Sequence, residues 1–223
     1  MDKIQTFKNF NNQDIIKFVR EGDIQSIKNY IDCGYDLNVM DKNGYVPIIE
    51  AARSNPIIIK LLLDNGANIN KQETYTGSFA LIIAALCGHI SNVKILLEYG
   101  AEINADDYDG TTALIYASIY DNIEIVKLLL NAGADIDKQD NQGDTALILA
   151  ASNNNRETVE ILLDYGADEF ILNDDNKSFY DYLNDENKQY FTRKYPTSVY
   201  NAISHWYKKS FTEFVKDYNI KNN

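Results

Sequence analysis

Apolar side chains recur in this chain at the spacing of one helix face. After the turn at residues 121–122, they fall at relative positions i, i+3, i+6 and i+7, as Ile123, Val126, Leu129 and Leu130. This spacing predicts an amphipathic α-helix. Gly133 predicts the end of that helix, because glycine adopts the left-handed closing conformation at little cost.

The same pattern returns every 33 residues along most of the chain. Glycine recurs at this spacing, at Gly44, Gly77, Gly110 and Gly143. A pair of small residues follows in step, at Ala51-Ala52, Ala84-Ala85, Ala117-Ser118 and Ala150-Ala151. A period of this length predicts a solenoid, in which each unit buries its apolar face against its neighbours. The small pairs predict close contacts between helices.

Each unit is predicted to be a hairpin tip followed by two short antiparallel helices. In the segment that follows Gly110, a threonine hydroxyl can cap the first helix. Two irregularities cancel in this register: the turn around Asn55-Pro56 lacks one residue, and the stretch from Asn70 to Gly77 has one more. Connecting segments absorb such changes more cheaply than packed helices do.

These segments resemble ankyrin repeats. The family pattern Gly-x-Thr-Pro-Leu-His-x-Ala-Ala-x-x-Gly-His, then Val-x-x-Leu-Leu-x-x-Gly-Ala-x-x-Asn, is matched best from Gly77 to Asn104. The matching residues there include Leu81, Ala84, Ala85, Gly88, His89, Val93, Leu96, Leu97, Gly100, Ala101 and Asn104. Five units run over about 11–43, 44–76, 77–109, 110–142 and 143–175, and residues 177–183 begin a sixth. The resemblance implies a mainly α fold, an ankyrin-repeat solenoid of helix-turn-helix units with β-hairpin-like tips.

The chain departs from the family pattern at the same position in four units. Isoleucine replaces the family's histidine at Ile49, Ile82, Ile115 and Ile148. Burial of an isoleucine contributes about 1.5–3 kcal/mol. We therefore expect aliphatic packing to replace part of the polar network between units.

The sequence predicts two parts, an ankyrin repeat domain at 1–183 and a helical C-terminal extension at 184–223. The extension carries seven lysines and arginines against four acidic residues, a net charge of +3. Between Pro196 and Tyr218, apolar residues that include Trp206 follow helical spacing and predict an amphipathic helix. This helix either caps the last apolar face of the solenoid, or recognises a second partner, or folds back onto the concave patch, because its basic charge complements the acidic body.

Composition narrows the class of protein. The net charge of −12 argues against nucleic acid as a partner, because phosphate binding needs a basic surface. Cys33 and Cys87 occupy non-equivalent positions, which indicates neither a disulfide framework nor a cysteine metal site. The N-terminus lacks the pattern of a signal peptide, and the aliphatic run from Ile57 to Leu63 is too short to span a membrane. We expect a monomeric cytoplasmic protein with no cofactor and no membrane association.

Candidate catalytic residues are few. His89 lies where the ankyrin family often has histidine, so the resemblance implies a structural role. His205 has no nucleophile and acid arranged around it in the sequence. Asp106, Asp107 and Asp109 fall on a hairpin tip without the glycine and distal glutamate of a calcium-binding EF-hand loop. We interpret them as a solvated acidic tip, and we predict no enzymatic activity.

By family alignment, the concave face is built from the side chain before each small pair and the two after it. In the first two units these are charged or polar: Lys17, Arg20, Glu21, Glu50, Arg53 and Ser54. In the next three they are mostly apolar or aromatic: Ile83, Leu86, Cys87, Tyr116, Ile119, Tyr120, Leu149, Ser152 and Asn153. A contiguous apolar patch of this kind is typical of a contact surface, and tyrosine is a favoured anchor.

The predicted partner-binding residues are Ile83, Leu86, Tyr116, Ile119, Tyr120 and Leu149, with Tyr75 and Tyr108 at or beside the hairpin tips. A simpler alternative is that Leu86 and Ile119 pack against neighbouring tips or the C-terminal segment. The tips either extend the surface towards a basic ligand or form a solvated rim. We predict a protein-protein interaction module. The alternatives are an adaptor or effector whose C-terminal helical segment recruits a second partner, and a structural spacer without a specific ligand.

Overall fold

The computed structural model describes residues 10, 11 and 13–195, which form a stack of paired helices. The first helix of each pair is α1 (Asp14–Glu21), α3 (Pro47–Ala52), α5 (Ala80–Leu86), α7 (Ala113–Ile119), α9 (Ala146–Ser152) or α11 (Phe179–Tyr182). The second is α2 (Ile24–Asp32), α4 (Pro56–Asp64), α6 (Ile90–Glu98), α8 (Ile123–Asn131), α10 (Arg156–Asp164) or α12 (Asp185–Lys194). Six helical units thus follow one another in the described part of the chain, which confirms the predicted helical solenoid. From the second onwards, each unit is counted from the whole hairpin tip that precedes its first helix.

The ends of the helices follow the predicted signals. The Thr112 hydroxyl accepts a hydrogen bond of 3.3 Å from the backbone N–H of Ile115 and so caps α7. Gly133 has φ 89° after α8, and the next amide, that of Ala134, donates back to the carbonyl of Leu129 at 3.0 Å. The cap and the terminating glycine inferred from the residue pattern are both confirmed.

The turn between the two helices of a unit uses a left-handed residue. The residues concerned and their φ angles are Gly22 (71°), Gly88 (72°), Asp121 (54°) and Asn154 (59°). The second unit has no left-handed residue in this turn, and α3 has six residues where α5, α7 and α9 have seven. The missing residue predicted near Asn55-Pro56 is therefore lost from the end of the first helix and its turn.

Small and aliphatic side chains fill the space between units. All four small pairs are fully buried, and so are Ile49, Ile82, Ile115 and Ile148, as expected for aliphatic packing at those positions. Each first helix packs on the next along the whole stack, and these contacts are more extensive than those between successive second helices. A row of helices that packs more closely is the inner row of a curved stack, so the first helices line its inner side.

Backbone hydrogen bonds join the successive hairpin tips. The amide of Tyr108 donates to the carbonyl of Thr76 at 2.9 Å, and that of Asn141 donates to Asp109 at 2.9 Å. Gly110, with φ 77°, lies directly against the next tip, because a Cβ at this position would be 2.8 Å from the backbone nitrogen of Asn141. The glycine that defines the period therefore meets two requirements, a left-handed backbone and close approach of the next unit.

A row of side chains at the base of the tips also links the units. Each accepts a hydrogen bond from a backbone N–H in the next unit: Asn38 from Asn68 (2.6 Å), Asn70 from Glu102 (3.0 Å), Asn104 from Asp135 (2.8 Å) and Asp137 from Asp168 (2.9 Å). Asp137 thus places a carboxylate where the other three units have an amide. Burial raises the pKa of Asp137, and the charges of Asp168 and Asp135 raise it further.

The sixth unit extends beyond the predicted partial repeat. Asn176, 33 residues after Gly143, has φ 59° at the tip, and the first helix α11 is short, with four residues. The second helix, α12, is tied to α10 by a hydrogen bond of 2.6 Å from Arg156 to Asn187 and an ion pair of 2.5 Å between Lys194 and Glu160. Residues 184–195 therefore continue the stack. The amphipathic helix expected between residues 196 and 218 lies outside the described residues, and the division of the chain at 183 stays a prediction.

Substitution of alanine for Gly110 tests the contact between tips. Gly110→Ala should lower the free energy of unfolding by at least about 1 kcal/mol more than Gly100→Ala, because only the first adds an overpacked contact. Gly100 has φ 79°, and nothing lies within 4 Å of the place where an alanine Cβ would be, so both variants carry the same backbone cost of about 1–2 kcal/mol. Urea unfolding measures both. Equal losses would show that the tip contact contributes nothing.

Replacement of Asp137 by asparagine tests the row of amide side chains. Asp137→Asn should stabilise the protein at neutral pH by roughly 0.5 kcal/mol, because the acceptor is kept while a disfavoured charge is removed. Since folding raises this pKa, the wild type loses stability as the pH rises through it, and the advantage of the variant should disappear below it. The converse change, Asn70→Asp, should destabilise the protein, because the Asn70 amide donates to Glu102 at 3.1 Å and a carboxylate at that position would repel Glu102 instead. Thermal unfolding against pH provides the measurement, and a stability gain that persists in acid would contradict this explanation.

Candidate functional site

The inner side of the stack carries most of the predicted partner-binding residues. Five of them come from α5, α7, α9 and the residue after α7, and we call these five the inner strip: Leu86, Tyr116, Ile119, Tyr120 and Leu149. Tyr120 is 56% exposed, and the other four are partly buried against the core. The inner strip therefore presents apolar and aromatic surface to solvent across three adjacent units.

Ile83 does not belong to this exposed surface. It is only 4% exposed, so the expectation that it faces solvent is wrong. Its position, directly before the small pair, turns towards the neighbouring first helices, and Glu50 at the same position of the second unit is buried too. Ile83 consequently supports the inner strip from beneath, as part of the core between α3 and α7.

Tyr116 is held in place by the tip of its own unit. Its hydroxyl donates to Asp107 Oδ2 at 2.9 Å, while Asp107 Oδ1 accepts from the amides of Asp109 and Thr111 at 3.0 Å each. Burial, the hydrogen bond to Asp107 and the nearby carboxylate charges raise the pKa of Tyr116 well above its ordinary value. The hydroxyl is therefore a fixed internal donor, and the ring of Tyr116 is the part that a partner can contact.

Tyr75 and Tyr108 lie on neighbouring tips and are 81% and 57% exposed. The Tyr108 ring packs against Gly77, in the space that a Cβ would occupy. Tyr75 belongs to the stretch with one extra residue, where Glu73 closes a local turn by accepting from the Thr76 amide at 2.8 Å. The inserted residue thus gives the third unit a more prominent aromatic tip than its neighbours.

The other end of the inner side carries charges that are paired within the chain. Glu50 accepts from Arg20 Nε at 2.7 Å and lies 3.4 Å from Arg53 Nε. The Arg20 guanidinium also lies over the Tyr45 ring, 4.6 Å from its centroid. The buried carboxylate of Glu50 is therefore neutralised by two arginines, and this end of the inner side has no excess negative charge.

The candidate catalytic residues have structural contacts. His89 Nε2 donates to the carbonyl of Arg53 at 2.5 Å. Asn122 and Asn155, at the same position of later units, also donate to carbonyls at the end of the preceding unit's first helix, those of Ala85 and Ser118. His205 lies outside the described residues. Between residues 13 and 195, no group of three histidine, cysteine or acidic side chains is arranged to hold a metal ion. Over the same range, no helix has the length and apolar character needed to cross a membrane.

The tip of the sixth unit contributes a feature that the sequence analysis missed. Between this tip and the preceding one lies a cleft of about 210 Å³, lined by Gln142, Asp144, Asn173, Asp174, Asp175 and Tyr182. Tyr182 is 33 residues after Leu149, so it holds the inner position of the sixth unit. If the 33-residue period is continued by one more unit, the sequence alone identifies Tyr182 as an inner residue.

The architecture defines a class of protein, a curved solenoid of helix-turn-helix units joined at short tips. The family model for ankyrin repeats in three copies matches residues 15–107 and 104–173, more than half of the chain. The chain belongs to the ankyrin repeat family. This family is generally one of protein-protein interaction modules and is typically non-enzymatic.

Three similar proteins illustrate the range of contexts. Ankyrin repeat and SOCS box protein 3 from Homo sapiens is 38% identical over 89 residues, which cover 39% of this chain and 17% of that protein. Putative ankyrin repeat protein R664 from Acanthamoeba polyphaga mimivirus is 35% identical over 112 residues, 48% of this chain and 64% of that protein. E3 ubiquitin-protein ligase XBAT33 from Arabidopsis thaliana is 32% identical over 97 residues, 42% of this chain and 19% of that protein. The aligned part of the chain thus spans less than two thirds of each relative.

Removal of the Tyr116 hydroxyl tests the hydrogen bond to Asp107, which we call the brace because it joins α7 to the hairpin tip before it. Tyr116→Phe should lower the free energy of unfolding by about 1–2 kcal/mol, because Asp107 loses a charge-assisted hydrogen bond in a partly buried site. Tyr120→Phe is the matched control, since the ring of Tyr120 is largely exposed, and it should change stability little. Chemical denaturation compares the two, and equal stabilities of both variants would rule the brace out.

Proposed function

We propose that this protein is a non-enzymatic module that binds a partner protein through the inner strip. The observation that carries the proposal is the exposure of Tyr120 in the middle of adjacent apolar side chains from three units. Tyr120 is more than half exposed, so a partner can pack against its ring. The partly buried aliphatic side chains beside it add a flat apolar surface to the contact. Ile83, which is buried in the core, is not part of this contact surface.

The hairpin tips extend the proposed surface beyond the inner strip, on the side where the tips lie. Tyr75 and Tyr108 are exposed on adjacent tips, and Tyr116 connects the second of these tips to the inner strip through Asp107. Because the tips are joined to one another by backbone hydrogen bonds, the two tyrosines are held at a fixed spacing. Rigid presentation lowers the entropy lost when a partner binds.

The proposal also covers the oligomeric state, the cellular compartment and the kind of molecule that is bound. We propose a monomer that acts in the cytoplasm, with no cofactor and with neither nucleic acid nor a membrane as its target. The net charge of −12 supports the exclusion of nucleic acid, because phosphate groups would be repelled. The family supports a protein as the partner class. A structural spacer without a ligand is the alternative that the following experiment separates.

Affinity capture with a single tyrosine variant tests the proposed surface. The full chain, Tyr120→Ala and Tyr165→Ala are immobilised at equal density, and proteins retained from an extract of the expressing cells are quantified by mass spectrometry. Tyr120→Ala should reduce the recovery of specific partners about tenfold, the scale of an interface anchor. Tyr165, 45% exposed at the end of α10 in the second row of helices, is the matched control and should leave recovery unchanged.

Stability measurements accompany the capture experiment. Tyr120→Ala removes an exposed ring, so its unfolding midpoint should stay close to that of the wild type. If wild type and both variants retrieve the same proteins in equal yield, the inner strip is not the binding surface. If the wild type retains nothing above a blank matrix, the spacer alternative gains support over the binding module.

A further inference from the structure

Carboxylates accumulate at the tips of the fourth, fifth and sixth units, along one edge of the inner strip. Five of them are relevant: Asp109, Asp140, Asp144, Asp174 and Asp175. Asp140 is used within its own tip, where its Oδ1 accepts from the amides of Gln142 and Asp144 at 2.9 Å each. Of these five carboxylates, only Asp175 forms an ion pair within the described residues, with Lys177 at 3.8 Å.

The negative charge lies close to the aromatic part of the inner strip. The Tyr116 hydroxyl donates to Asp107 Oδ2 at 2.9 Å, and Asp109 follows two residues later in the same tip, where its charge also raises the pKa of Tyr116. In the cleft of about 210 Å³ between the fifth and sixth tips, Asp144, Asp174 and Asp175 surround Tyr182. Acidic groups thus lie beside an aromatic side chain in the fourth unit and again in the sixth.

The carboxylates of the cleft repel one another. Burial raises the pKa of Asp144, the hydrogen bond from Asn173 at 2.7 Å lowers it, and the charges of Asp140, Asp175 and Asp174 raise it. A cationic group placed between these tips would reduce the repulsion. At the opposite end of the inner side, by contrast, Arg20 and Arg53 already neutralise Glu50, so that end offers no equivalent attraction for a cation.

We propose that the occupant of the inner strip is a partner segment with both apolar and basic side chains, the basic ones directed at the tips of the fourth to sixth units. This inference rests on the proposed function and specifies its partner. Apolar side chains fit beside Tyr120 and Ile119, while arginine or lysine side chains complement the excess carboxylates at the adjacent edge. Charge complementarity of this kind steers association and sets orientation more than it adds affinity.

The dimensions suit a short segment. Packed helices lie about 8–10 Å apart, so three successive units span roughly 20 Å between the outermost first helices. An extended chain rises about 3.3 Å per residue, and six residues therefore cover that length. Side chains on one side of such a segment recur about every 6.6 Å, so long basic side chains among them can reach tips that are about 8–10 Å apart.

Selection from a random peptide library tests the chemistry of the occupant. A phage-displayed library of random peptides, about 12 residues long so that it exceeds this span, is panned on the immobilised full chain. Selected peptides are synthesised, and their binding is measured by fluorescence anisotropy with the wild type, Tyr120→Ala, the double variant Asp109→Asn/Asp174→Asn, and Asp32→Asn. Asp32 is an exposed carboxylate at the end of α2 in the second row, so it controls for loss of charge away from the strip.

The expected peptides combine leucine, isoleucine or phenylalanine with arginine or lysine. The double variant should weaken their binding about three- to tenfold, as expected for two surface charges, whereas Asp32→Asn should leave it unchanged. Added salt should also weaken binding, because exposed charges are screened beyond about 10 Å at 0.1 M ionic strength.

Other outcomes separate this inference from the proposed function. Peptides that require Tyr120 but lack basic residues, and that ignore the double variant, overturn the basic partner and leave the binding surface intact. A library that yields no binder dependent on Tyr120 overturns both. If a synthetic peptide of residues 196–223 displaces the selected peptides, the chain's own C-terminal segment is the occupant, and the inference of a separate basic partner is wrong.

Discussion

Successive first helices touch at their pairs of small residues, and the rest of the stack depends on this contact. The alanine pairs of α3, α5 and α9, and the Ala117-Ser118 pair of α7, are completely buried. A larger side chain at any of them would push two units apart, because interiors are close-packed. Since the first row packs more closely than the second, the stack curves around the first helices, and most of the side chains that flank the small pairs reach the inner surface.

Close stacking also decides how the polar groups of the tips are satisfied. Each tip turns sharply, and a side-chain oxygen within it accepts the free amides. Asp41, Asp107, Asp140 and Asn173 perform this task at the same position of four units, and Glu73 does so in the unit between the first two. Part of the acidity of the tips is therefore structural. The exposed carboxylates of Asp109 and Asp174 make no such contribution in the described structure, and they are the ones that distinguish this edge electrostatically.

The candidate site could be predicted from the sequence only in part. Ile83 and Tyr116 hold the same position in consecutive units, yet Ile83 is buried whereas the Tyr116 ring is partly exposed. The difference arises because isoleucine fits between neighbouring first helices, while the longer tyrosine reaches past them to Asp107. Tyr120 and the two tip tyrosines, Tyr75 and Tyr108, are exposed as a repeat alignment implies, since they lie at a turn or at tips rather than between helices.

The repeat spacing alone establishes that the chain is a helical solenoid, where its helices begin and end, and why glycine recurs every 33 residues. These properties are local or depend on identical neighbours, so each unit carries the information for its own conformation. Only the tertiary structure shows which inner side chains are buried and which are exposed. Whether α12 completes a sixth unit, which carboxylates are paired, and how much of each aromatic ring faces water all depend on particular side chains from adjacent units, whose sizes and charges do not repeat.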